Sequence, residues 1–410
     1  MSSTDAGGQR ARGRGLVLPL DSLGAADRPL AGGKGASLGE LVRAGFPVPA
    51  GFVVTTAAFR EALGALDPDG SIPRAVAALD PGDHQRVARV TAELRARVAS
   101  APLSGALAAA LAAAYAQLGA APGAAAGTGA AAGPVPVAVR SSGTAEDAAS
   151  ASFAGLQDSY LWVRGAEQVA AALRRCWASL YSVASVTYRL RRGPAGRQRL
   201  AAEAGAAMAV VVQRMVDARV AGVMLTRSPT TGDRSVVTVE GAWGLGSAVV
   251  GGEVTPDAWT VSKVTGEILK RTVASKPRRH RPDSRAAGSG VVAEEVPAEL
   301  RDRPCLSDAE VRALARLGAR VERHYGTPQD IEWALERDLE PLDLGAAHGL
   351  FLLQSRPETA WSGRETTPVA TPKPRAFDHV MARFSAAGPS DPGRPAGHGS
   401  GTGSKGGRHR

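Results

Sequence analysis

Two alternating segments near the end of the chain carry groups that could hold a cation and a polyanion together. In Asp330-Ile331-Glu332-Trp333-Ala334, acidic and apolar residues alternate, so on a strand Asp330 and Glu332 share one face. Two carboxylates on one face repel unless a cation or an arginine lies between them. A magnesium–nucleotide site uses one or two carboxylates together with substrate phosphates. Leu353-Gln354-Ser355-Arg356-Pro357 alternates in the same way, with Gln354 and Arg356 on one face. On adjacent strands the two segments would gather Glu332, Gln354 and Arg356 around one metal–phosphate cluster. Taken singly, each is equally a solvated strand face.

Two earlier segments offer phosphate-binding chemistry. Gly32-Gly33-Lys34-Gly35-Ala36-Ser37 sets a lysine among glycines at a helix start, where backbone N–H groups and the helix terminus favour an anion. It is not a P-loop, because Lys34 precedes Gly35 instead of standing between a glycine and a Ser/Thr. Val139-Arg140-Ser141-Ser142-Gly143-Thr144 ends a strand with an arginine, whose fork suits a phosphate. Ser152-Phe153-Ala154-Gly155 follows, small enough to close over phosphates. The competing readings are a solvated lysine on a surface helix and an Arg140 paired with Glu146 or Asp147.

The elements that must position these groups follow from hydrophobic periodicity. Residues 34–44 place Leu38, Leu41 and Val42 on one helical face, and residues 84–98 carry a stripe of Val87, Val90, Leu94 and Val98. The Ala-rich stretch 106–117 favours helix, and 119–133 is Ala/Gly low complexity that reads as a loop. Residues 52–55, 135–140, 208–216, 221–226, 235–240, 258–262 and 350–354 read as strands. Residues 307–325 read as a strong helix, opened by a capping box of Ser307 and Glu310. Antiparallel-looking strands with separate helices predict an α+β fold of at least two lobes.

Composition narrows the function classes. Of the formal charge of +10, residues 1–14 carry a net +2 and residues 362–410 a net +5, so the body lacks the clustered basic footprint of a nucleic-acid binder. The internal run Lys276-Pro277-Arg278-Arg279-His280-Arg281 reads as a solvated loop. Cys176 and Cys305 are far apart and lack metal-type spacing, which argues against a disulfide framework or a zinc site. With neither a leader nor a membrane-length apolar run in view, the expectation is a cytoplasmic protein. The expected organisation is a polar basic segment 1–14, an N-terminal lobe segment 15–134 ending in the Ala/Gly-rich linker, a core 135–361 and a disordered basic tail 362–410.

Together, GGKGASLGEL (32–41), PVPAGFVVTT (47–56), VRSSGTAED (139–147), SFAG with Asp158-Ser159, EGAWGLG (240–246), VTPD (254–257), HYGTPQDIEWA (324–334) and LLQSRPET (352–359) resemble the N-terminal nucleotide-binding domain of the phosphoenolpyruvate synthase and pyruvate phosphate dikinase family. Rifampicin phosphotransferases and phenylphosphate synthases share that domain. The resemblance runs from about residue 16 to residue 361 and implies an ATP-grasp fold with ATP in the cleft between two lobes. It implies that Lys34 and Arg140 bind ATP phosphates, that Gly155, Ser159 and Tyr160 belong to a phosphate-covering segment, and that Gln213 lies beside the adenine. It further implies that Glu332 and Gln354 ligate Mg2+ and that Arg356 stabilises the transferring phosphoryl group. Lys34, Arg140 and Arg356 would then be the catalytic cations.

Some features depart from the family pattern. Many relatives carry Glu after the GLG of the tryptophan motif, where Ser247 stands here. Residues 335–349 form a charged insertion. None of His84, His280, His324, His348, His379, His398 and His409 lies in the Gly/Ser/Thr-rich context of the family's phosphate-carrying histidine, and the residues after Pro357 read as a tail. The resemblance therefore implies a phosphotransferase component that cleaves ATP to AMP and phosphate. The phosphoryl group would go to a histidine on a separate partner protein, for transfer to pyruvate, a phenol or an antibiotic hydroxyl. A non-catalytic or regulatory nucleotide-binding module is the alternative; a nucleic-acid binder acting through the basic tail is a third.

Overall fold

Valine-rich segments pair into two antiparallel sheets, and helices pack against them. The computed structural model describes residues 15–120, 134–144, 158–191, 207–283, 290–337, 349–359 and 361. The first sheet comprises β1 (Val17–Pro19), β2 (Gly51–Val54), β3 (Val137–Gly143), β4 (Ser159–Val163) and β5 (Met208–Arg214), in the order β1-β2-β5-β3-β4. The second comprises β6 (Ala218–Leu225), β7 (Val236–Trp243), β8 (Asp257–Ser262), β9 (Ile268–Thr272), β12 (Gln329–Glu336) and β13 (Leu350–Pro357), in the order β13-β12-β6-β7-β8-β9. Between β9 and β12, β10 (Arg278–Pro282) and β11 (Val291–Glu295) form a separate hairpin.

The helices are α1 (Arg28–Arg43), α2 (Thr56–Leu66), α3 (Ser71–Ala77), α4 (His84–Ala99), α5 (Gly105–Ala120), α6 (Ala166–Ser179), α7 (Val183–Arg191), the single turns α8 (Ser247–Val250) and α9 (Ala298–Arg301), and α10 (Asp308–Tyr325). One face of the first sheet, with Val139, Val210 and Val212, packs against Leu94 of α4, Leu111 of α5 and Leu173 and Trp177 of α6. Its other face, with Val53, Ala209 and Val211, packs against Leu38 and Ala31 of α1. Burial on both faces explains why residues 208–212 form an unbroken apolar run. In the second sheet, Val220, Val239, Ile331 and Trp333 meet Val311, Leu314, Leu317 and Val321 of α10. Each such buried side chain stabilises the fold by about 1.5–3 kcal/mol.

Helix ends follow the sequence closely. Ser307 Oγ accepts from Glu310 N at 3.3 Å, and Ser307 N donates to Glu310 Oε2 at 2.7 Å, which forms the expected capping box. Gly326, at φ 72°, closes the other end of α10. Contacts outside the cavity help tie the first lobe to the second. Ser37 Oγ donates to Ser355 O at 2.6 Å, Leu352 N to Pro47 O at 2.7 Å, and His324 Nε2 lies 3.0 Å from Glu40 Oε1.

The first sheet continues across residue 134, since β2 hydrogen-bonds to β5 and β5 to β3. The chain passes to the second sheet only between β5 and β6. The expected tails 1–14 and 362–410 lie outside the described residues, as do residues 121–133 of the low-complexity stretch and 338–348 of the charged insertion.

The solvated loop expected at 276–281 is corrected. Lys276 is fully buried, and its ammonium donates to Asp257 Oδ1 at 2.7 Å and Ala274 O at 2.6 Å. Arg278–Pro282 is strand β10, where Arg279 and Arg281 both reach Glu294 of β11. The opposing charges come from Asp257 and Glu294, outside the basic run, so the run itself could not reveal them.

Candidate functional site

A cavity of about 350 Å3 lies between the two sheets, and its wall is drawn from both. On the first sheet the pleat sorts the side chains. Val139 and Val212 turn to the helices, while Ala138, Arg140 and Gln213 turn to the cavity. Ser159 pairs with Arg140 across β4 and β3 and lines the same wall. Tyr160, one position on, pairs with Val139 and packs on the core side. Its hydroxyl donates to Asp158 at 2.9 Å and Arg175 stacks over its ring at 4.1 Å. Burial first, then Asp158, push its phenol well above the usual value. Strand alternation therefore turns Tyr160 away from the cavity wall that Ser159 lines. Gly155 lies outside the described residues.

Lys34 is held by a break in α1. Gly32 adopts φ 69° and ψ 178° inside the helix, so the turn that carries Lys34 starts afresh after it. A Cβ on Gly32 would fall 2.0 Å from Ser142 O, so only glycine fits this approach. Ser142 Oγ donates to Ala31 O at 2.8 Å and accepts from Gly35 N at 3.0 Å. That hydroxyl staples both sides of the break to β3 and leaves Lys34, 9% exposed, in the cavity wall. Sequence reasoning missed Ser142. Its signal was its place two residues after Arg140, on the same face of one strand.

The second sheet supplies the complementary groups. Glu332 stands opposite Gln354, and Asp330 opposite Arg356, on β12 and β13. Arg140 reaches across the cavity to both strands. Its Nη2 donates to Glu332 Oε2 at 2.6 Å and to Gln354 Oε1 at 2.7 Å, and its Nη1 to the backbone oxygen of Leu353 at 2.9 Å. Arg356 donates from Nε and Nη2 to Asp330 Oδ2, at 2.9 and 2.8 Å, while lining the same cavity. The structure thus brings together Lys34, Arg140, Ser159, Gln213, Glu332, Gln354 and Arg356. It also shows two groups the motifs did not single out, the Leu353 carbonyl and Asp330 as the partner of Arg356.

Two hard oxygen donors, Glu332 Oε2 and Gln354 Oε1, already converge on one cationic nitrogen. That donor set suits Mg2+, which takes oxygen ligands and completes its shell from phosphates and water. Farther along the same row, Glu332 pairs with Val223 and Val223 with Glu240. Burial, and then the charge of Asp330, hold the Glu240 carboxyl above its ordinary range. Apolar side chains line the same cavity, among them Leu161, Met215, Val216 and Leu353. There Gln213 Nε2 donates to Pro49 O at 3.3 Å, which leaves the amide oxygen as that side chain's acceptor. A ligand with a flat apolar ring and a polyanionic arm would satisfy this lining.

Both cysteines are buried and unbridged. Burial raises each thiol above its usual value, which disfavours the reactive thiolate. No helix among the described residues is long and apolar enough to cross a membrane.

Comparison with known proteins identifies a family. Residues 28–376 match the family described as pyruvate phosphate dikinase, AMP/ATP-binding domain. A probable phosphoenolpyruvate synthase from Methanothermobacter thermautotrophicus is 41% identical over 344 residues, which cover 84% of this chain and 46% of that protein. A probable phosphoenolpyruvate synthase from Staphylothermus marinus is 37% identical over 406 residues, covering 95% of this chain and 46% of that protein. A rifampicin phosphotransferase from a Streptomyces species is 41% identical over 347 residues, 84% of this chain and 36% of that protein. The chain spans less than half the length of each of these relatives.

Proposed function

The chain belongs to the pyruvate phosphate dikinase AMP/ATP-binding domain family, and from that premise we propose that its cleft binds ATP with Mg2+ and passes a phosphoryl group to a histidine on a separate partner. The observation that supports this most directly is the meeting of Arg140 from one lobe with Glu332 and Gln354 from the other.

The apolar part of the cavity lining receives the adenine, with the Gln213 amide oxygen as acceptor for its amino group. Lys34, in the first turn after the Gly32 break, meets the phosphates as a point charge. Arg140 exchanges its carboxylate and amide partners for phosphate oxygens, and Glu332 and Gln354 are then free to hold the metal. Bound Mg2+ offsets phosphate charge and so eases attack by an anionic or neutral nucleophile. Arg356, oriented by Asp330, faces the charge that builds on the transferring group. Phosphoryl transfer asks a protein for positioning and electrostatic stabilisation above all, and these residues supply both.

No histidine is among the described residues that line the cavity, and in this reading a partner brings the histidine acceptor to it. Attack at the β-phosphorus by that histidine breaks the bond to the α–β bridging oxygen and releases AMP; water then takes the terminal phosphoryl group of the resulting pyrophosphohistidine as inorganic phosphate, which leaves phosphohistidine. The acceptors offered by the named relatives are pyruvate-type and antibiotic hydroxyl-type groups.

The test is product identity. The chain is incubated with ATP, Mg2+ and a histidine-bearing domain supplied from a full-length family member. AMP and a phosphohistidine on the added domain are expected. ADP with phosphohistidine would mean a simple kinase, and tight ATP binding with no turnover would mean a non-catalytic nucleotide-binding module; either result contradicts the proposal.

A further inference from the structure

The turn after β7 and the neighbouring strand β10 carry three side chains in series that the chemistry above does not use. Ser247 opens α8 and lines the cavity together with Lys34, Arg140 and Arg356. Its Oγ lies 2.8 Å from His280 Nδ1, and His280 Nε2 lies 3.1 Å from Glu253 Oε2. The backbone fixes this geometry from both sides. Leu245 N donates to His280 O at 2.9 Å. Gly244, at φ 81°, permits that approach, since a Cβ there would fall 2.4 Å from His280 O. Beyond α8, Gly251 N donates to Ser247 O at 2.9 Å and Glu253 N to Ala248 O at 3.0 Å, which turns Glu253 back toward the imidazole.

The partners assign the protons. A carboxylate only accepts, so Glu253 keeps an N–H on Nε2. In the neutral ring Nδ1 then holds the lone pair, and the Ser247 hydroxyl donates to it. Nucleophile, base and orienting acid each stand within hydrogen-bond reach of the next, the arrangement that activates a serine. The nucleophile shares a cavity with three cations, which would lessen the repulsion it meets on approaching a triphosphate.

The geometry points to Ser247 as a site of self-phosphorylation, with His280 as general base and Glu253 as a positioning residue. With ATP in the cleft and no histidine partner docked, Ser247 Oγ bonds to the terminal phosphorus. The bond from that phosphorus to the bridging oxygen breaks, the hydroxyl proton passes to His280 Nδ1, and ADP leaves. The step needs no reactant besides ATP, and it rests on the nucleotide site proposed above. The product places a charge of about −1.5 to −2 beside Lys34, Arg140 and Arg356. Phosphoserine 247 would therefore compete with ATP and hold idle protein out of turnover.

The test uses the full chain with Mg2+ and ATP alone, read by intact mass and by mapping the phosphopeptide, with ATP affinity measured in parallel by titration calorimetry. One phosphoryl group on Ser247, with ADP released, is expected. Ser247→Ala should lose the modification while keeping ATP binding. His280→Gln should slow it by about 10²–10⁴-fold. Glu253→Gln should also slow it, and Glu253→Asp should recover part of the rate, with thermal melting unchanged across the three variants. A wild-type chain that binds ATP but carries no phosphoserine at 247 overturns this inference alone, as does labelling that persists in Ser247→Ala. A chain that binds no ATP overturns the nucleotide site as well.

Discussion

Arg140 and Glu332, 192 positions apart in the chain, meet at 2.6 Å across the cavity, with the arginine 12% and the glutamate 29% exposed. Each comes from a different sheet, so the pair exists only when both lobes fold and dock. The same guanidinium holds Gln354 and the Leu353 carbonyl, at the point where the proposed function sets a metal and a phosphate. In the proposed site a nucleotide and its cation would take over both partners, Arg140 turning to phosphate and Glu332 to the metal, so that no carboxylate is left unpaired in a half-buried cleft.

Arg140→Lys keeps the charge but loses the fork that reaches three acceptors at once. Hydrogen bonds to charged groups contribute about 1.5–3 kcal/mol, so ATP affinity should fall roughly 10–100-fold. Calorimetric titration checks this. Affinity within about twofold of wild type would show that Arg140 does not touch the nucleotide.

Gly32→Ala asks an L-residue to adopt φ 69° and ψ 178° and to place a methyl 2.0 Å from Ser142 O. Backbone strain of this kind costs about 1–3 kcal/mol before the overlap is counted. The expected result is a clear loss in denaturant midpoint together with loss of ATP binding, because Lys34 moves with the turn. Ser142→Ala should act in the same direction through its two lost hydrogen bonds. An unchanged midpoint in Gly32→Ala would contradict the close approach.

Asp257→Ala strands the fully buried Lys276 ammonium without its anion. Breaking a buried pair from one side costs about 3–5 kcal/mol. Equilibrium unfolding should show that loss, and the double variant Asp257→Ala/Lys276→Met should recover part of it. Near-wild-type stability of the single variant would mean that the ammonium reaches water.

Glu240 offers a pH test. Its carboxyl is raised on folding by burial and then by Asp330. A group raised in this way favours the folded state while protonated, and that contribution is lost as pH climbs through its folded value. Glu240→Gln should therefore be more stable than wild type near neutrality, with the gap closing as pH falls toward and below the ordinary value of 4.5. Urea midpoints across that range check it. A wild type that is the more stable of the two at neutral pH would contradict the burial of this charge.

The segments carrying the site were legible in the sequence because alternation is a local signal. Asp330, Glu332, Gln354 and Arg356 share the expected face, and β12 and β13 pair as adjacent strands. The capping box at Ser307 was legible for the same reason. Less accessible were features set by the register between distant strands. Tyr160 follows Ser159 in a cavity-associated segment, yet its pairing with Val139 sends it to the core. The buried state of Lys276 depends on Asp257, and the staple at Gly32 on Ser142, 111 residues from its partner Ala31. Ser247 stood out only as a departure from the family pattern; its histidine and glutamate became visible once β10 was placed beside the turn.

The most direct measurement is ATP titration in the presence and absence of Mg2+, on wild type, Lys34→Ala and Glu332→Ala. The account predicts one saturable site that tightens with Mg2+ in wild type, weakens at least about tenfold in Lys34→Ala, and loses its Mg2+ dependence in Glu332→Ala. Equal affinity and equal Mg2+ response in all three proteins would contradict the convergence of lysine, arginine and acid on one nucleotide.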